Sequence, residues 1–467
     1  MSLFSILHAG STAMSASNSA LQTTSNNVAN AETPGYARQS TTFTAAGTLR
    51  RGGLLLGQGV KASAVTAAYD RFSQSQVFGR LGTSGYGTAQ STDFQAIESV
   101  FAEGAEGGLG QSLSEFLDTF STLEASPSDP WVRLEVLAKA GEVTSYVNRH
   151  AADLAGRQAA ADDSVVPMVN QANSLAAQVG ALNADIQRIE AGGGQAHDLR
   201  AQRTALLETL AGLGPTNVQD EANGSVTVLF AGHSLVEGDS ARTLSVGTDA
   251  TTGFNTVRIS QGTSSLDITS AIGEGGTLGS AINTRDVVTT GLIAELDELA
   301  FTLAGQVNTV HAAGFGLDGQ TGRNFFAAPA AQAGAALNLS IDSAIADTPD
   351  AIAAAGTAGT VPGGNSVATQ LAALGESAVM SGGTRTFGQF YASIVSGVGQ
   401  DAASAYALES RAALQLSSAL DLRDATSGVS LEEEALDLIR YREAFSAATR
   451  VVSTANEMLD ELMAIVR

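Results

Sequence analysis

The sequence predicts a mainly α-helical, elongated, multi-domain chain with a smaller β part. Three observations carry this reading. Apolar stripes with a seven-residue period occupy both ends, a second four-three seam runs through residues 175–213, and short β-branched runs broken by Gly, Asp and Asn follow Pro215. A chain of 467 residues is also long for one core, so two to four domains are expected.

The first element is a helix on which Leu7, Met14, Leu21 and Val28 recur every seventh residue and form one seam. It ends at a turn, because Pro34 pushes Thr33 out of the helical region and Pro34-Gly35 suits a type II turn. Asn26, Asn27 and Asn30 lie beside this seam. They either fix helix register, as polar residues in a coiled-coil interface do, or mark fraying before the proline.

From Ala67 to Leu213 the pattern is mostly helical. Asp129 followed by Pro130 reads as an N-cap with proline at the first helical position, so a long helix begins near Trp131, and Pro167 is expected to interrupt or restart it. Leu175, Val179, Leu182, Ile186 and Ile189 make a seam that breaks at AGGGQ and resumes with Leu199, Leu206, Leu210 and Leu213, which predicts a helical hairpin. After Pro215 come the β-like runs Val226 to Phe230, Thr243 to Val246 and Thr256 to Ile259. Helical periodicity returns from about Ser280 to His311. A Gly- and Ala-rich stretch, 314–383, follows, and a last helical block runs from Phe387 through Leu422.

The C-terminal helix, Leu431 to Arg467, would be about 50 Å long. Leu431, Leu438, Phe445, Val452, Leu459 and Val466 form one heptad row and Tyr441, Ala448, Ala455 and Leu462 a second. Ser430 can cap it, Glu433 sits at the capping-box position, and Glu432 to Glu434 suit the positive end of its dipole. The resulting division places a terminal helical assembly domain with an adjoining loop at 1–65 and 427–467. A helical bundle takes 66–214, 280–325 and 385–426, and an outer β-rich or irregular domain takes 215–279 and 326–384.

Composition narrows the function classes. A formal charge of −23 and the absence of any basic run exclude a broad nucleic-acid or anionic-membrane surface. Without cysteine there is no disulfide, thiolate nucleophile or Cys metal cage. The five histidines, His8, His150, His197, His233 and His311, are scattered with no HExxH, so no metal site or cofactor is expected. Gly232-His233-Ser234-Leu235-Val236 begins like a nucleophile elbow but has Val236 in place of the second glycine, and it reads as a hairpin. Asp318 to Gly322 lacks the acidic ligands of an EF-hand and reads as a turn. No catalytic residues emerge. The start lacks a basic n-region, and no apolar run reaches membrane-spanning length.

Several stretches resemble one family. SNNVANAETPGYARQ, from Ser25, resembles the N-terminal signature of the flagellar rod, hook and hook-associated axial proteins, whose usual form is close to SNN-AN-TPGY-RQ. GQGVKASAVTAAYDRFSQSQ, from Gly57, is similar to the stretch that follows it, and SGVSLEEEALDLIRYREAFSAATRVVSTANEMLDEL, from Ser427, to the family's C-terminal helix. TFGQFYASIVSGVG resembles the family's entry into that returning helix, and LAGQVNTVHAAGFGLDGQTGRNFF looks like the hook-associated members in particular. The resemblance implies a structural subunit of the bacterial flagellum at the hook-filament junction, paired at its terminal helices and built into a ring or tube of its own copies. It implies contacts with hook protein and with a second junction protein or flagellin, and a cytoplasmic export chaperone on the C-terminal helix. It further implies export through the flagellar type III apparatus without a cleaved signal peptide, hence an extracellular location, with no nucleic-acid partner and no membrane insertion. Alternatives are a hook or rod protein of the same family, or a secreted adhesin-like binding module whose heptads form an internal stalk.

Overall fold

The computed structural model describes residues 3–51, 54–102 and 107–465. The chain opens with helix α1, Leu3–Ala29, and a β ribbon of β1, Gln39–Ala45, β2, Thr48–Arg51, β3, Leu54–Gly57, and β4, Val60–Ala67. In the ribbon β1 pairs antiparallel with β4 and β2 with β3, so the stretch expected as an adjoining loop is mostly strand. Its run of Thr, Phe and Val on short alternating segments favours a pleated backbone.

Four helices follow: α2, Arg71–Phe101, α3, Leu109–Ala125, α4, Pro130–Ala191, and α5, His197–Leu213. The Asp70 carboxylate caps α2 by accepting from the amides of Phe72 and Ser73, and Asp129 caps α4 by accepting from Trp131 N. At 62 residues α4 is about 93 Å long. It passes straight through Pro167, contrary to the expected break. A proline removes one backbone donor and crowds one carbonyl, whereas Val165 and Val169 on either side are fully buried, and that packing outweighs the lost bond.

Strands β5, Thr216–Asp220, β6, Val226–Phe230, β7, His233–Glu237, and β8, Ser240–Ala241, make a four-stranded meander. Strands β9, Leu244–Thr248, β10, Asn255–Gln261, and β11, Ser264–Asp267, make a three-stranded sheet with β10 in the centre. The elbow-like Gly232-His233-Ser234 is the β6–β7 hairpin, with Ala231 and Gly232 both at positive φ. Short helices α6, Thr269–Ile272, and α7, Gly276–Asn283, lead through a π-helical turn, Thr284–Thr289, into α8, Thr290–Ala312. The turn carries Arg285, whose buried guanidinium donates to Asp162 Oδ1 (2.6 Å) and to the Asn255 carbonyl (2.6 Å) and so ties α4 to β10.

Residues 313–386 hold only short helices, among them α9, Ser343–Ala346, and α10, Ser366–Ala372, before α11, Phe387–Ser427, and α12, Leu431–Ile465. Thr386 and Gln389 form a capping box at the start of α11. Val466, the last member of the C-terminal heptad row, lies outside the described residues.

Two apolar clusters share α4. Its first half, Val136 to Leu154, packs with α3, α8, the start of α11 and the Gly- and Ala-rich stretch through Phe325, Phe326, Leu339, Ile345 and Leu371. Its second half, Val165 to Val179, packs with α5, α7 and both small sheets. The side chains of 326–384 and of 215–279, grouped together from the sequence, thus belong to different clusters. The reason is composition: Ala- and Gly-rich turns, too thin to build their own core, complete that of the helices beside them.

His311, 1% exposed, is a buried joint of the first cluster. Its Nε2 accepts from Ala353 N (2.9 Å), so Nδ1 carries the proton and donates to the Arg323 carbonyl (2.8 Å). Burial above all, with the Arg133 and Arg323 charges outweighing Asp342, pushes the imidazole below its ordinary value. The folded state therefore binds the proton less readily than the unfolded one. The stability this contributes is present above about pH 6.5, the unfolded value, and is lost as pH falls from there through the folded value. Thermal melting should drop more steeply between pH 7.5 and pH 5 in the natural chain than in His311→Gln. Parallel profiles would contradict the assignment.

Candidate assembly interface

The signature residues meet in one polar joint between the two ends of the chain. Gly35 takes φ +76° in the Thr33–Tyr36 turn, closed by Tyr36 N donating to Thr33 O (3.1 Å), and an added Cβ there would lie 2.8 Å from the Ala201 carbonyl of α5. Pro34 is exposed on that turn. The turn swings Tyr36, Arg38 and Gln39 back over the end of α1. Asn27, 1% exposed, uses its whole amide: Nδ2 donates to the Gln39 carbonyl (2.8 Å) and to Glu434 Oε2 (2.9 Å), while Oδ1 accepts from Gln39 N (2.9 Å) and from the Tyr36 hydroxyl (2.9 Å). Every bonding position of this amide is used.

Glu434, also 1% exposed, receives Arg38 Nε on its other oxygen (2.7 Å), and Arg38 Nη1 reaches Glu433 (2.6 Å). Arg38 N further donates to the Ser427 carbonyl at the end of α11 (2.8 Å). Burial, with Asp198 and Glu434 nearby, pushes the Tyr36 phenol up to about 12, which keeps it a donor at every physiological pH. Asn26 and Asn30 support the joint from outside it: Asn30 Nδ2 donates to the Asn26 backbone and side-chain oxygens (3.0 Å each). Of these residues, sequence reasoning named the asparagines, Pro34, Gly35 and Tyr36. It missed Arg38 and Gln39 and assigned Glu434 only to the helix dipole. A signal was present, since Glu434 heads the seven-residue row that continues as Tyr441, Ala448 and Ala455, a carboxylate where the pattern demands an apolar group.

Beyond the joint, α1 and α12 pack antiparallel along their lengths. The buried face of α1 is made of small residues: Gly10, Ser17 and Thr24 on one row and Ala20 and Asn27 on the next. Across from them Ala448 and Ala455 are buried. A Cβ on Gly10 would lie 2.7 Å from Val452 Cγ2, so any larger residue there displaces the Val452 side chain. The larger seam residues Leu7, Met14 and Leu21 on α1, and Leu438, Phe445, Val452 and Leu459 on α12, are half-buried at the flanks of this contact, and Val28 is exposed. The Phe43 ring of β1 lies 6.1 Å from Tyr441 and extends the contact to the ribbon.

The rest of α12 is not covered. Leu436, Ile439, Val451, Met458, Leu462, Met463 and Ile465 are exposed, Ile465 by 81%. Val451, Met458 and Ile465 again repeat every seven residues. Phe4 near the start of α1 is 74% exposed. Apolar surface of this extent is unusual for a solitary soluble protein and marks an interaction face.

Among the described residues no group of three or more His, Cys, Asp or Glu could hold a metal ion, and no helix is long and apolar enough to cross a membrane. Asp318 caps a turn, accepting from Gln320 N (3.0 Å) and pairing with Arg323 (2.5 Å).

Comparison with known proteins bears on the same regions. Residues 94–326 match the family model of the flagellar hook-associated protein FlgK helical domain, residues 7–36 that of the flagella basal body rod protein, and residues 424–465 that of the flagellar basal body rod FlgEFG protein C-terminal region. Flagellar hook-associated protein 1 of Bacillus subtilis is 26% identical over 99% of this chain and 98% of its own length. The protein of the same name in Escherichia coli is 27% identical over 69% of this chain, which covers 60% of that relative, and the one in Salmonella typhimurium is 28% identical with 59% of its length covered. The solved structure of the flagellar hook junction protein FlgK from Burkholderia pseudomallei superposes with a TM-score of 0.66 over 76% of this chain and all of that one, and at 15% identity it speaks for the fold. With rod-type signatures at both ends and the hook-associated helical domain between them, the chain belongs to the family of flagellar hook-associated protein 1, the hook-filament junction protein, a structural and non-enzymatic component of the extracellular flagellum.

Proposed function

We propose that the chain builds the junction by helical self-assembly through α1 and α12, as a ring or tube of identical copies. The observation that carries this reading is the apolar surface of α12 left uncovered after α1 has packed on it, from Leu436 to Ile465. A repeated contact between unlike surfaces gives such an assembly when one operator is applied throughout. In this reading the assembly domain is 1–65 with 427–467. Leu7, Met14, Leu21, Val28, Leu438, Phe445, Val452 and Leu459 flank the contacts between neighbours, and the turn from Asn26 to Tyr36 holds the two ends in register. The helical bundle of 66–214, 280–325 and 385–426 and the segments 215–279 and 326–384 then lie outside the assembly domain. Hook protein is the partner on one side, and a second junction protein or flagellin on the other.

Before export the same surface invites premature association, and a cytoplasmic chaperone with an apolar groove for α12 would cover it. Gold labelling of isolated hook-filament particles should place the protein in a narrow band between hook and filament. Label spread along the hook or along the filament would overturn the reading. For the chaperone, truncation before Leu431 should abolish binding in calorimetry, and full affinity in the truncated chain would place that site elsewhere.

A further inference from the structure

Among the described residues three arginines are almost fully buried, and two of them are well supplied with acceptors. Arg133 donates from Nε and Nη2 to the Pro127 carbonyl and from Nη1 to those of Pro349 and Ile352. Arg285 is held by Asp162 and Asp286. Arg203, 4% exposed, is different. Its Nη1 donates to Asn183 Oδ1 (2.8 Å) and the Gly224 carbonyl (2.9 Å), but its buried Nε has no partner, and no carboxylate among the described residues stands within ion-pair distance. A buried donor left without an acceptor is costly and rare in folded proteins.

Arg203 lines a cavity of about 430 Å³ where the signature turn, α2, the α4–α5 hairpin and β5 meet. Phe78, Leu207, Val218 and Val226 supply apolar wall. The other charges there are already matched. Arg200 and Glu190 form a two-bond pair (2.8 and 2.7 Å), and Asp220 accepts from Tyr69 and lies 3.7 Å from Arg71. The lining thus carries two cations and two carboxylates, and Arg203 is the cation that touches neither carboxylate directly. Burial, with Arg200 close by, lowers the Arg203 guanidinium to about 10, in keeping with a cation that lacks a close counter-ion.

We infer that this cavity binds a small organic monocarboxylate, its apolar body against Phe78 and Leu207 and its carboxylate on Arg203. A second negative charge on the ligand is disfavoured because Glu190 and Asp220 border the same space. The occupant is a free molecule of about benzoate size, which the volume accommodates with room for water.

The test uses the full chain with benzoate and the neutral benzamide as probes, followed by ligand-observed saturation-transfer NMR. Benzoate should bind with millimolar affinity and benzamide at least about tenfold more weakly, since a charge-assisted bond is the discriminating contact. Arg203→Met should remove benzoate binding. Because Arg203 also holds Asn183 and Gly224, Thr66→Phe is the second variant; it puts a ring at the cavity wall from an exposed strand position and should abolish binding with an unchanged circular dichroism spectrum. No saturation with benzoate, equal binding of benzamide, or retained binding in folded Thr66→Phe each overturns the proposal.

Discussion

Cells carrying Ala455→Asp should secrete filament protein into the medium yet retain no filaments. Ala455 is 1% exposed within the α1–α12 contact, where the small residues on both helices leave no space for a carboxylate and no partner for its charge. An unpaired carboxylate in such a site costs several kcal/mol or forces the helices apart. The contact would be disrupted in every copy of the assembly, so the effect on the junction far exceeds the effect on one subunit. Phe445→Asp should act in the same direction more weakly, because Phe445 is half-buried and a fully buried side chain of its kind is worth roughly 1.5 to 3 kcal/mol. The two apolar clusters around α4 do not include either residue. The purified variants should therefore keep the helical circular dichroism and cooperative melting of the natural chain. Electron microscopy showing normal filament numbers in Ala455→Asp would remove the terminal pair from the assembly mechanism.

Glu434→Ala should loosen both ends of the chain at once. The substitution strips Arg38 of its innermost partner and leaves one donor of the buried Asn27 amide unpaired. Arg38 is 30% exposed and keeps Glu433, so the loss is that of two hydrogen bonds to a buried carboxylate, about 1.5 to 3 kcal/mol each. Amide exchange of Arg38 and Gln39 should then accelerate by more than about a hundredfold, at roughly 1.4 kcal/mol per tenfold. Amides in α3 and in the first half of α4, which belong to a separate cluster, should not change. The double variant Arg38→Ala with Glu434→Ala should be less than additive, since each change alone already destroys the pair. Strict additivity, or exchange rates at Arg38 equal to those of the natural chain, would show that the joint does not hold the ends together.

Much of the architecture is written in local chemistry. Asp129 before Pro130 starts α4, Pro34-Gly35 turns the chain after α1, and the β-branched runs after Pro215 become β6, β9 and β10, because caps, turns and strand preferences act over a few residues. The flagellar signatures are equally legible, being contiguous. What sequence alone determined is therefore most of the helices, the strands after Pro215, the heptad rows at both ends and the family; the β ribbon β1–β4, expected as a loop, is not among them. Only the tertiary structure decided which face of each helix is buried. The row of Leu7, Met14 and Leu21 is the more apolar one, yet the small row of Gly10, Ser17 and Thr24 is the buried one, and at Gly10 the Val452 and Val451 side chains and the Ala448 carbonyl occupy the space a side chain would need. The same holds for Pro167, carried inside α4 by its buried neighbours, and for Glu434, whose partners Asn27 and Arg38 lie about four hundred residues away. Side-chain burial and polar satisfaction are set by what stands opposite in space, and chain order does not encode that distance.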